Sequence, residues 1–166
     1  MRQKNENKIY ELFFEHPDRR FTMREIELQT KIPKASVQRY LLEMKKEGIV
    51  SNENMAKVNL YYKIIKTNHF IEKIVRCGLI DEIVGKLNPS CIILFGSFRK
   101  GESEEQSDID IFVECMGKKK ISLEKFEKIL GHKIDLFVES DINKINKNLF
   151  NNVVNGIKLY GSLKVK

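Results

Sequence analysis

The chain has 166 residues, 42% of them hydrophobic, and carries 30 Lys and Arg against 23 Asp and Glu, a formal net charge of +7. This suits one medium domain or two small ones, and no apolar run approaches the ~20 residues that a membrane helix needs. The polar opening MRQKNENK argues against a secretory leader, and three widely spaced cysteines (Cys77, Cys91, Cys115) argue against a disulfide framework or a zinc site.

A soluble, cytoplasmic protein with no membrane partner is therefore expected. Its charge is uneven: residues 1–66 hold 14 basic against 9 acidic side chains, or +5, and residues 67–166 hold 16 against 14, or +2. An excess of this kind marks the part of a chain that meets nucleic acid.

In the front part, Ile9, Leu12 and Phe13 recur at helical spacing across Lys8–Glu15 until Pro17 stops them. Thr22, with Glu25 three residues on, makes a capping box for a second helix that carries Ile26 and Leu28. After a break at Thr30–Pro33, the third helix spans Lys34–Glu47, with Val37, Tyr40, Leu41 and Met44 on one face and Gly48 as its stop. Ile49–Val50, a polar turn at Ser51–Asn54 and the alternating run Val58–Ile65 predict a β-hairpin.

Three helices followed by a hairpin resemble the winged helix-turn-helix domain, and PKASVQRYLLEMKKEGIV is similar to its recognition helix and the strand that follows. The outward face of the third helix presents Lys34, Ser36, Gln38, Arg39 and Lys45. Arg and Gln can bond base edges in a major groove, and Lys neutralises phosphates, so duplex DNA is the expected partner of residues 1–66.

The rear part, residues 67–166, opens on helices at Asn68–Cys77 and Leu79–Leu87, separated by Gly78 and ended by Asn88–Pro89. Strands follow at Ser90–Phe95 and Asp108–Val113, then a helix capped by Ser122 and running to Leu130. A third strand at Lys133–Glu139, a helix over Ile142–Asn155 and a short strand at Gly156–Tyr160 complete the chain. The fold class is α+β: a winged helix domain, then a small domain with a mixed β-sheet flanked by helices. His16, His69 and His132 lack any ligand spacing and read as ordinary surface or core residues.

Strand alternation makes LFGSFRKGESEEQSDID specific. Asp108 and Asp110 share a face, about 6.6 Å apart along the strand, with Ile109, Ile111 and Val113 opposite. In the third strand the phase of Ile134, Leu136 and Val138 turns Asp135 to the other side, so neighbouring strands would bring three carboxylates together. Such a cluster needs cations, and oxygen ligands suit Mg2+. Gly96 lets the backbone approach a ligand and Ser97 adds a hydroxyl donor, which fits a triphosphate bridged by two metal ions.

Gly-Ser, ten residues, Asp-x-Asp and a later strand Asp resemble the DNA polymerase β-type nucleotidyltransferase superfamily. GSFRKGESEEQSDIDIFVE is most similar to its minimal, antitoxin-like members, over roughly residues 78–161. The resemblance implies that Asp108, Asp110 and Asp135 hold two Mg2+ ions, with Asp135 also deprotonating the acceptor. Gly96 and Ser97 would bind the triphosphate, and Lys100 stands where relatives usually carry Arg. It further implies AMP transfer from ATP to a hydroxyl, plausibly on a HEPN-type toxin protein, and leaves room for a homo-oligomer. The other reading is a DNA-binding regulator whose rear domain senses nucleotide or docks a partner without catalysis.

Overall fold

Thr22 starts the second helix as the sequence implies. Its hydroxyl accepts from the Glu25 N–H at 3.2 Å, and the Glu25 carboxylate accepts from the Thr22 N–H at 2.7 Å, so α2 (Met23–Thr30) opens on a capping box. In this computed structural model, which describes residues 2–117 and 121–164, α1 (Arg2–Glu15) precedes it and α3 (Lys34–Lys46) follows. Each helix buries one stripe: Ile9, Phe13 and Phe14 from α1, Ile26 from α2, and Val37, Tyr40, Leu41 and Met44 from α3. The chain divides into two compact units, Met1–Lys66 and Thr67–Lys166.

The expected hairpin is cut short. A single antiparallel bridge joins Val50 to Ala56 around the turn at Ser51–Asn54, and the stretch read as its second strand, Val58–Ile65, belongs mostly to a helix. That helix, α4 (Leu60–Arg76), also absorbs the helix expected at Asn68–Cys77. Asn59 begins it by accepting from the Tyr62 N–H at 2.9 Å.

The alternation of Val58, Leu60, Tyr62 and Ile64 in the sequence suits a strand. The residues that are buried, however, are Tyr62, Lys66, Phe70 and Ile74, four apart on one helical face. Lys66, only 2% exposed, interrupts the apolar pattern in the sequence while continuing it in space. Its ammonium donates to the Phe14 carbonyl, and the Tyr62 hydroxyl donates to the Phe13 carbonyl at 2.7 Å. Where a two-strand wing was expected after the three helices, a one-bridge turn and the start of a fourth helix stand instead.

The second unit is α+β. After α5 (Leu79–Leu87) come β1 (Cys91–Leu94), α6 (Gly96–Lys100), β2 (Ile109–Glu114), α7 (Glu124–Leu130), β3 (Ile134–Glu139), α8 (Lys147–Val154) and β4 (Ile157–Gly161). The sheet order is β3-β2-β1-β4; β1 runs antiparallel to β2 and β4, and β2 runs parallel to β3.

Two local expectations change here. Leu123, not Ser122, precedes α7, and no side chain caps it. The helix expected over Ile142–Asn155 divides into a 3-10 turn at Ile142–Lys144 and α8, which Asn146 caps by accepting from the Leu149 N–H at 2.9 Å.

β1 is buried along its whole length. One face of the sheet contributes Cys91, Ile93, Phe95 and Phe112 to a cluster with Ile142 and Val153, against which Phe137 packs. The opposite face of β2 carries Ile109, Ile111 and Val113, all fully buried. No helix among the described residues is long and apolar enough to cross a membrane.

Candidate active site

Register places the acidic residues. β2 and β3 start side by side, and Asp110 pairs with Asp135, Phe112 with Phe137 and Glu114 with Glu139. In a parallel pair, register partners turn to the same face, so Asp110 and Asp135 stand next to each other on strands about 4.8 Å apart. Asp108 lies one residue before β2 in the phase of Asp110.

The common face then continues into apolar residues. The rings of Phe137 and Phe95 approach to 5.4 Å between centroids. Carboxylates therefore occupy the end of a face whose middle is hydrophobic.

That setting acts on Asp110. Its carboxyl is pushed above the ordinary carboxylate value by burial first, and then by the negative charges of Asp135 and Asp108. Asp108 and Asp135 themselves are exposed. Such a cluster opposes folding through desolvation and like-charge repulsion unless a cation joins it.

The turn after β1 closes the site from above. β1 ends beside the start of β2, with Leu94 opposite Ile111, and the Phe95 N–H donates to the Asp110 carbonyl at 3.0 Å. Gly96 follows at φ +69°, in the left-handed region, and lies directly over Asp110. A Cβ there would overlap Asp110 Oδ2 and stand 2.8 Å from Cγ. Only glycine satisfies both the backbone angle and the close approach.

Ser97 falls in the first turn of α6, half-buried, and Lys100 ends that helix in solvent. The expected turn is thus the start of a short helix. Gly101 closes it with φ +67°, and the Glu102 N–H donates back to the Ser97 carbonyl at 3.0 Å.

The structure therefore brings Asp110, Asp135 and Gly96 together, sets Asp108 and Ser97 beside them in the chain, and leaves Lys100 at the rim. Glu127 is a supporting residue that sequence reading missed. Its carboxylate accepts from the Ile134 N–H at 3.1 Å and from the Lys133 ammonium at 3.1 Å, tying α7 to the residue before Asp135. These bonds, the Ile134 N–H foremost, hold its carboxyl below the usual range.

The chemistry of the donors fits a hard divalent cation: three carboxylates, two of them register partners. As the side chains stand, no three His, Cys, Asp or Glu among the described residues form a ready metal-holding group.

The five residues of α3 expected to face DNA separate into two kinds. Lys34, Gln38 and Arg39 are exposed, whereas Ser36 and Lys45 are half-buried. The Lys45 ammonium donates to the Asn52 carbonyl at 3.1 Å, which fastens the turn after α3. The Arg39 guanidinium lies over the Tyr40 ring, 4.9 Å from its centroid. Lys46, which the sequence reading left out, is exposed seven residues after Arg39 and shares its face.

Comparison with known proteins gives two positive results. The sequence matches the family described as polymerase beta nucleotidyltransferase over residues 79–164. It is also similar to a protein of Methanocaldococcus jannaschii that carries the provisional name protein adenylyltransferase, at 42% identity over 65 residues. That match covers 35% of this chain and 65% of the relative, so the chain spans a little under two thirds of the relative's length. No solved structure matches the chain.

Proposed function

The chain belongs to the polymerase beta nucleotidyltransferase family, and from that premise we propose that it moves AMP from ATP to a hydroxyl acceptor in the presence of magnesium. The observation that carries this reading is the pairing of Asp110 with Asp135 in register beneath a glycine that admits no side chain. Asp108, Asp110 and Asp135 would hold two Mg2+ ions, which supply charge neutralisation at the phosphates and a lowered pKa at the acceptor hydroxyl.

The chain's own groups account for the remaining roles. Gly96 lets the backbone reach the triphosphate, and the Ser97 hydroxyl donates to a phosphate oxygen. Lys100 offers a mobile positive charge from the rim, without the bidentate fork of arginine. Asp135 sits at the edge of the sheet, where it takes the proton from the acceptor. The acceptor oxygen then bonds to the α-phosphorus, the bond from that phosphorus to its bridging oxygen breaks, and pyrophosphate departs with the electron pair.

The acceptor we favour is a side-chain hydroxyl of a partner protein. The name of the Methanocaldococcus relative supports this choice, and the resemblance to antitoxin-like enzymes points to a HEPN-type toxin. We add duplex DNA as the partner of the first unit, on the exposed Lys34, Gln38, Arg39 and Lys46 and the +5 balance of residues 1–66. A regulator that binds nucleotide without transfer is the competing reading.

The test incubates the protein with ATP labelled at the α-phosphate, magnesium and cell lysate, and reads label on protein, RNA and small molecules. Label on a protein supports the acceptor proposed, and label on RNA or a small molecule redirects it. Metal-dependent ATP binding with no label anywhere favours the regulator, and no ATP binding at all overturns the nucleotide site.

A further inference from the structure

His132 does not belong to the acidic cluster, yet it touches the residue before Asp108 and the short helix that carries Ser97. The residue is 6% exposed and sits in the turn between α7 and β3, three residues before Asp135. Its Nδ1 lies 2.9 Å from the Ser107 carbonyl oxygen. A carbonyl only accepts, so Nδ1 carries the proton and donates. Its ring meets that of Phe98, in α6, edge-on at 4.9 Å, and that of Phe70 at 5.7 Å.

The Ser107 contact matters because of where Asp108 lies. Asp108 precedes the first ladder pair, Ile109 with Ile134, so the ladder holds only the peptide that follows it, through the Ile109 N–H donating to the Lys133 carbonyl at 2.8 Å, and the peptide that precedes it is held by other contacts. The loop that leads to it is mostly solvent-exposed through Glu102, Glu104, Glu105 and Gln106. It is folded by a local turn in which the Ser107 N–H donates to the Glu104 carbonyl at 2.9 Å and the Glu104 N–H donates to the Ser107 hydroxyl at 2.9 Å.

The Ser107 carbonyl and the Asp108 N–H share one planar peptide unit. A buried donor that fixes the carbonyl therefore fixes the plane from which Asp108 springs. The same ring steadies Phe98, two residues after Gly96 and one after Ser97.

We propose that His132 is a positioning residue for the active site: by donating to Ser107 and packing on Phe98, it aims Asp108 and steadies the Gly96–Ser97 turn. The proposal rests on the reading that these residues form the nucleotide site. It assigns His132 no contact with substrate.

Two variants separate positioning from simple packing. His132→Phe keeps a ring between Phe98 and Phe70 and removes the donor. His132→Asn loses the ring but can place an amide N–H near the position of Nδ1. Amide hydrogen exchange should rise by about tenfold at Ile109 in His132→Phe, the scale of one lost hydrogen bond. The amides of β1 and β4 should exchange as in the wild type, and His132→Asn should restore most of the protection at Ile109.

ATP affinity in the presence of magnesium, measured by calorimetry, should follow the same order, with a loss of about tenfold in His132→Phe. Unchanged exchange at Ile109 in His132→Phe overturns the proposal, as does a rise across the whole sheet that His132→Asn does not repair. Should His132→Phe fail to fold, His132→Leu against His132→Asn gives the same comparison without a ring. A wild-type protein that binds no magnesium-ATP overturns the nucleotide site, while hydrogen exchange still decides for or against His132.

Discussion

The three aspartates and the basic face of α3 both concentrate like charge, but they do so at different cost. Asp110 is half-buried, register-paired with Asp135, and carries a carboxyl pushed up by burial and by two neighbouring negative charges. Lys34, Arg39 and Lys46 stand in water, where repulsion between side chains is screened within about 8–10 Å. A cluster that opposes folding needs an explanation from outside the fold, and a bound cation supplies one. A solvated basic face needs none, which makes the first region far more informative about function than the second.

The largest effect should therefore come from the acidic end. Replacing Asp108 and Asp110 together by Asn keeps their size and removes the charge that calls for a cation. Magnesium-dependent ATP affinity should vanish in calorimetry while far-ultraviolet circular dichroism stays that of the wild type. Retained affinity in the double variant would mean that the cluster is no more functional than the face of α3.

Asp135 should behave differently from the other two. It is exposed at the start of the outer strand, the side on which the proposed acceptor would approach. Asp135→Asn should leave ATP binding largely in place and slow single-turnover transfer by about 10²-fold or more, the scale for a positioned base. Wild-type transfer in this variant would remove Asp135 from the chemistry and leave the site with two carboxylates.

Effects at α3 should be smaller and depend on salt. If the face docks on duplex DNA, affinity should fall steeply from low to moderate salt as neutralised phosphates release counterions. Arg39→Ala should weaken a specific site by about 1–3 kcal/mol if it reads a base. Lys46→Ala should weaken all sequences alike and lower the salt slope by about one charge. Lys45→Ala should act mainly through the Asn52 turn that it fastens. No retention of any duplex at low salt would make this face the solvated surface it resembles.

What the sequence reveals follows from the same contrast. The aspartates were legible because period-2 alternation fixes which side chains share a face, and glycine beside a strand narrows what can lie above it. Their pairing needed the third dimension: nothing in IDLFVE at 134–139 says that it runs parallel to β2 with Asp135 against Asp110. The start of α4 was misread because a buried lysine, Lys66, stands where a helical stripe should show an apolar residue. Two backbone carbonyls, of Phe13 and Phe14, receive the polar tips of Tyr62 and Lys66, and no spacing rule exposes such a partnership. His132 was passed over for the same reason, since its partner, Ser107, is 25 residues away and offers only a main-chain oxygen.

The smallest effect is a gain. Asp110 has its folded pKa raised above the ordinary value of 3.8, so between those two values the native state holds a proton that the unfolded chain has lost. Stability then falls as pH rises through that window, because the slope follows the protons bound by the unfolded state minus those bound by the native state. Below the ordinary value both states are protonated and the penalty is absent; above the folded value it is complete. Asp110→Asn cannot ionise, so without divalent cations its melting temperature should exceed that of the wild type at pH 7.5. The gain should be on the order of 1–3 °C, modest because solvent screens a half-buried group. At pH values below the ordinary one the two proteins should melt together. Magnesium should raise the wild type and close the gap at pH 7.5, with less effect on the variant. A less stable Asp110→Asn at pH 7.5 would mean that the charged carboxylate makes favourable bonds within the fold, and the case for cation binding there would fail with it.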